Sequence, residues 1–204
     1  MNYFDNAFEN ALLNAQDAGI APVYFVTFFA RDRDTNEEVE IGFWSGDYDI
    51  THNVRGRSGS LVSRIFTGGV GLQLGDIKYV LDMTDNSVTV TMNPFHEAVN
   101  ATIRGYDIRM STAEVHVTTW NGGALASAGQ LVWVGIVDTA PFSYGAAGAS
   151  GTVTVSLRSE LMVALGRKNP AKSSDAHQKR RRSTDTFSKY SGVVESFTFS
   201  WYKP

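Results

Sequence analysis

Val23-Tyr-Phe-Val-Thr-Phe-Phe-Ala30 decides the fold. The run is β-branched and aromatic, Pro22 stands before it, and the charged stretch Arg31-Asp-Arg-Asp-Thr-Asn36 follows it. A second apolar stretch runs through Val39, Ile41, Phe43 and Trp44. Two strands and a charged tip are therefore predicted to form a hairpin.

The same period continues along the chain. Val88, Val90 and Met92 alternate with Ser87, Thr89 and Thr91, while Ile77, Tyr79, Leu81 and Met83 line one face of a strand before them. Asp85-Asn86 supplies the turn of this second hairpin. Val115 and Val117 alternate with Glu114, His116 and Thr118, so His116 is predicted to face away from the valines, toward solvent or a neighbouring subunit. Leu131 to Val137 is apolar on both faces and is predicted to be a central strand. Val153, Val155 and Leu157 mark another strand, and Phe197, Phe199 and Trp201 a C-terminal one. Residues 45–75, rich in Gly and Ser, read as loops with short strands.

Helical spacing occurs twice. Phe4, Phe8, Leu12 and Ala15 predict an amphipathic helix over 3–18, stopped at Gly19. Asn93-Pro94 predicts a short helix from Phe95 to Ile103, ended by Gly105. The expected organisation is an N-terminal helix (1–19), a β-rich domain (20–165), an extended basic arm (166–190) and a C-terminal strand (191–204) completing the domain. The predicted fold class is mainly β, with a short flanking helix.

The composition fits this reading. The chain has 204 residues with 43% hydrophobic content, enough for a substantial core, and its 19 glycines against 5 prolines suit a turn-rich β protein. Cysteine is absent, which excludes disulfides, thiolate metal sites and cysteine nucleophiles. No run approaches the roughly 20 apolar residues of a membrane-spanning helix, and nothing reads as a signal peptide. The net charge of −3 hides an asymmetry. Arg167, Lys168, Lys172, Lys179, Arg180, Arg181 and Arg182 stand against the single acid Asp175, a local +6 that leaves −9 on the rest. Such a segment is suited to contact another part of a like subunit.

Tests for catalytic chemistry fail on spacing. His52, His96, His116 and His177 are scattered, and after His96-Glu97 the residue where a zinc helix needs its second histidine is Asn100. Gly68-Gly-Val-Gly71 with Gly75 lacks the spacing and the following lysine of a phosphate loop, and no nucleophile elbow is present. Asp47 and Asp49, or Glu37 with Glu38, offer acids for calcium or glycoside chemistry without a further ligand cluster. Lys179-Arg-Arg-Arg182 suits phosphates, but no aromatic residue interleaves it for base stacking. No enzyme activity, cofactor or metal is expected.

The order of elements carries a resemblance. Gly42-Phe-Trp-Ser-Gly-Asp47 follows an apolar strand. Leu81-Asp-Met-Thr-Asp-Asn-Ser-Val-Thr-Val-Thr-Met92 then leads into a short helix, and Leu131-Val-Trp-Val-Gly-Ile-Val-Asp138 comes next. Ser174-Asp-Ala-His-Gln-Lys-Arg-Arg181 and Phe187-Ser-Lys-Tyr190 precede the last aromatic strand. This pattern, over about residues 22–202, resembles the N-terminal domain of tail hub or distal tail (baseplate) proteins of long-tailed bacteriophages and gene transfer agents. Ser174, Asp175, Gln178, Arg180 or Arg181, Phe187 and Tyr190 carry its most specific part. Members of that family often continue into a cysteine-bearing region and show a Pro-Gly-Asp-Arg type of sequence in the loop matching 182–187; neither is found here.

The resemblance implies a virion structural protein with a tail-tube-like β-sandwich or barrel, made in the host cytoplasm and placed at the tail tip. Its implied partners are copies of itself in a trimeric or hexameric ring, a tail tube or distal tail protein, and a tip or fibre protein. DNA would pass through the channel without specific binding, and no membrane is involved. The subunit-interaction arm would comprise Arg167, Lys168, Lys172, Ser174, Asp175, Gln178, Lys179, Arg180, Arg181, Arg182, Phe187 and Tyr190. Two other readings compete. A carbohydrate-binding or adhesion β-sandwich needs an exposed row among Trp44, Trp120 and Trp201, and a hydrolase needs Asp47, Asp49 and a histidine such as His52.

Overall fold

The computed structural model describes residues 4–15, 19–78, 86–121, 123–144, 151–166, 174–190 and 196. The chain divides into two units, Met1–Ala164 and Leu165–Pro204. In the first unit, helix α1 (Asn6–Leu13) precedes β1 (Pro22–Asp32), β2 (Glu38–Trp44), β3 (Ile50–Arg55), β4 (Leu61–Phe66), β5 (Gln73–Leu74) and β6 (Ser87–Met92). Helix α2 (Glu97–Gly105) leads into β7 (Tyr106–Asn121), β8 (Ala124–Leu125), β9 (Gln130–Thr139), β10 (Phe142–Ser143) and β11 (Thr152–Ser159). Helix α3 (Glu160–Gly166) follows β11, and α4 (Asp175–Arg181) lies in the second unit.

The fold is mainly β. One large antiparallel sheet has the order β2-β1-β7-β9-β11-β6-β5, with β8 paired to β7 and β10 to β11. The sheet does not close into a barrel, which corrects that part of the expectation. Its terminal strands explain the open form: β5 is only two residues long, and the outer half of β2 carries Glu38 and Glu40, charges that discourage edge pairing. β9 lies between β7 and β11, the central place its apolar faces require.

β1 is buried on both sides, and that shapes the rest of the unit. Val26, Phe28 and Ala30 join Phe43, Val90, Met92, Ala113, Val115, Val137, Val153, Val155 and Leu157 in the main core, where Val70, Leu72 and Val99 of α2 also pack. Val23 and Phe25 point the other way, into a second core with Trp44, Val54 and Phe66. The β3–β4 hairpin forms that second layer. Its backbone is tied to the sheet at both sides, by Trp44 N–H to Thr67 O (3.2 Å) and Thr67 N–H to Gly42 O (2.9 Å), and by Arg55 N–H to Gly129 O (2.8 Å) and Gly129 N–H to Asn53 O (2.9 Å). Gly42 and Gly129 permit the approach, because a Cβ at either would collide with Ile65 and Phe66 or with Val54 and His116.

At the charged tip of the first hairpin, Asp32 Oδ1 accepts from the N–H groups of Asp34 (2.8 Å) and Thr35 (3.0 Å). The bonds from Thr35 and then Asp34 hold its carboxyl below the usual aspartate value.

Several predicted boundaries move. The first helix is Asn6–Leu13 within the expected 3–18, and the second is Glu97–Gly105, with Asn93 Oδ1 accepting from Phe95 N–H (3.0 Å) in the turn before it. Residues 79–85, the expected strand and turn before β6, lie outside the described residues, and so does the C-terminal strand except Ser196. The basic arm is not extended over 175–181, where α4 forms. His116 is fully buried instead of facing outward, because the β3–β4 layer covers its side of β7.

Candidate functional site

The face of β1 and β7 under the hairpin holds a buried polar cluster. Register places Phe25 opposite His116 and Thr27 opposite Glu114. Arg64 of β4 donates from Nη1 to Glu114 Oε2 (2.7 Å), and both side chains are almost wholly buried. Its Nε lies 3.2 Å from Oε2 of the exposed Glu40, an ion pair without a hydrogen bond, and its guanidinium sits 5.0 Å from the Phe29 ring centroid. His116 Nε2 lies 3.1 Å from the Arg55 carbonyl and 3.7 Å from Glu114 Oε2. Burial first, and the Arg64 cation second, push the His116 pKa down to about 4. A neutral His116 donating from Nε2 to Arg55 O fits these contacts.

Arg64 and Glu114 of this cluster line a cleft of about 620 Å³ between β1–β2, the β3–β4 turn and β7. At its rim β7 bulges: Phe29 pairs with Thr112 but Arg31 pairs with Asp107. Met110 in the bulge has φ 62°, a left-handed conformation that is strained for a side chain of this size, and Ser111 Oγ donates to Ile108 O (2.6 Å). Arg57 is held by Glu160 (2.6 Å) and Arg31 by Glu38 (3.3 Å). Ser58 bonds Ser60 (2.7 Å). The cleft's charges are thus internally paired, and among the described residues neither of its serines contacts a base.

The basic segment builds a different kind of surface. Ser174 Oγ caps α4 by accepting from His177 N–H (3.3 Å), Asp175 lies in its first turn, and Lys179, Arg180 and Arg181 lie in its last, the arrangement its dipole favours. Lys179 reaches back to Asp175 at 2.7 Å. Gln178 is half-buried in the helix, with Oε1 unpartnered. Lys179, Arg180, Arg181 and Arg182 are exposed, and beyond them Phe187 and Tyr190 are 89% and 64% exposed. α4 therefore gathers its cations at one end, and two exposed aromatic rings follow in the chain. Arg167, Lys168 and Lys172 lie outside the described residues.

Of the other candidate groups, Asp49 and His52 have structural partners. Asp49 Oδ1 accepts from Gly68 N–H (3.0 Å), and Gly69 N–H donates to Gly46 O (2.8 Å), so this glycine run braces the loop at 46–49. His52 stacks on Phe25 and bonds Ser127 O (3.2 Å), and burial lowers its pKa. His96 is the N-cap residue of α2. Trp44 is fully buried and packs against the partly exposed Trp120, Trp133 is half-buried, and Trp201 lies outside the described residues. Trp44 therefore cannot belong to an exposed sugar-stacking row. Among the described residues, no group of three or more metal-ligating side chains is assembled, and no helix is long and apolar enough to cross a membrane.

The buried Arg64–Glu114–His116 cluster escaped the sequence reading. Its signal was β1 itself: a strand apolar on both faces requires a layer over each, including the one bearing His116. Comparison with known proteins finds no protein family that matches the chain and no curated protein that matches it.

Proposed function

We propose that the protein is a structural component of a bacteriophage tail tip, a hub or distal tail ring assembled around the DNA channel. In this reading the ring joins the tail tube to tip or fibre proteins. The observation that carries it is the run Lys179 to Arg182, four consecutive exposed cations, followed by the exposed rings of Phe187 and Tyr190, the latter with Lys189 Nζ 5.4 Å from its centroid. Arg and aromatic residues dominate the energetics of protein interfaces, and the chain outside 167–182, at −9, offers a complementary surface on the next copy. An acidic remainder also suits a channel that must let DNA pass without gripping it. The large antiparallel sheet is compatible with a tail-tube-like subunit.

The test is charge reversal on the arm. Arg180→Glu, Arg181→Glu and Arg182→Glu together with Phe187→Ala are expected to leave the β-sheet signal of the circular dichroism spectrum unchanged. The same change should convert a ring, measured by sedimentation velocity, into monomers. Intact rings after this change would remove the arm from the interface.

A further inference from the structure

We infer that the groove beside Phe95 is a binding site for a neutral saccharide, independent of the arm and of ring assembly. The groove, about 280 Å³, lies on the first unit and is lined by Gln73, Thr91, Asn93, Phe95 and Thr152. None of its lining side chains is charged. Carboxamides and hydroxyls both donate and accept, so together they match the mixed hydroxyl rim of a pyranose better than they match an anion or a cation. The volume is that of a ligand of one or two rings.

An aromatic platform borders the groove. Phe95 is 66% exposed and Tyr144 is 51% exposed, their ring centroids 6.0 Å apart at 52°. Neither ring is left loose. Tyr144 stacks on Phe142 at 5.8 Å and 7°, while Arg104 lies 5.3 Å from the Phe142 centroid and donates from Nη2 to Tyr144 Oη (3.2 Å). Asn93 Oδ1 fixes the Phe95 backbone, and Gly151 brings the start of β11 so close that a Cβ there would lie 3.2 Å from the Phe95 ring. The rings are held in place while their surface stays open to solvent, which is the preorganisation that lowers the cost of binding. A pyranose places C–H groups on one face and hydroxyls around its edge, and so presents an apolar face to the ring and polar groups to the groove. Nucleic-acid bases also stack on aromatic rings, but a strand needs free cations for its phosphates, and Arg104 is engaged with Phe142 and Tyr144.

The experiment titrates the full chain with maltohexaose, cellohexaose and chitotetraose, followed by saturation-transfer NMR and calorimetry. At least one is expected to bind, and Phe95→Ala or Gln73→Ala should weaken it by about tenfold or more with the melting temperature and oligomeric state unchanged. Absence of binding by all three, or binding that Phe95→Ala leaves intact, overturns the proposal. It is equally overturned if Phe95→Ala abolishes self-association while no sugar binds, since the patch would then be a protein interface.

Discussion

At the scale of single residues, His116 shows how a side chain placed by period-two alternation acquires its chemistry from the layer above it. Its folded pKa of about 4 lies below the ordinary 6.5. The unfolded chain therefore takes up the proton first as pH falls. Above 6.5 the group contributes no pH dependence; between 6.5 and 4 stability declines, by up to about 3 kcal/mol in total, and below 4 the loss levels off. His52, whose pKa is lowered by burial, adds to the loss in the same direction. Urea denaturation at pH 7, 5.5 and 4.5 should show this decline, and His116→Gln should flatten it. Arg64 poses a different problem, because its removal leaves the buried Glu114 with only the neutral His116 beside it. Arg64→Ala is expected to cost about 3–5 kcal/mol in chemical denaturation, and Arg64→Leu with Glu114→Leu should recover much of that loss.

Among the elements, the β3–β4 hairpin and α4 are the informative ones. Gly42→Ala would drive a methyl group into the Ile65 carbonyl and the Phe66 ring, lifting the hairpin from the sheet. The expected loss is about 1–3 kcal/mol, with faster amide exchange over 50–66 as the local signature. The strands with strict alternation, β6 and β11, were legible because each has one buried face. The Gly- and Ser-rich region at 45–75 suggested only short strands, and its role as a second layer comes from long-range contacts that its own pattern does not encode. The lack of apolar periodicity over 166–190 predicts an extended arm. α4 instead draws on local signals, the Ser174 cap and the Asp175–Lys179 pair, and buries no residue completely. Seven residues make a marginal helix. Ser174→Ala should therefore weaken it by about 1 kcal/mol, read as faster exchange over 175–181.

For the whole molecule, the mainly β class and the charge asymmetry were both visible in the sequence. The two-layer arrangement, the open sheet and the internally paired cleft were not, since they depend on which strands meet. The buried polar cluster is paired within the fold, whereas Arg180, Arg181 and Arg182 and the rings of Phe187 and Tyr190 are exposed. That division is the basis of the proposed ring. Native mass spectrometry of the purified full chain, alone and mixed with a tail tube protein, tests it most directly. A single closed species of three or six copies, lost when salt screens the arm, is the predicted result. A monomer at every concentration, with no complex in the mixture, would contradict it.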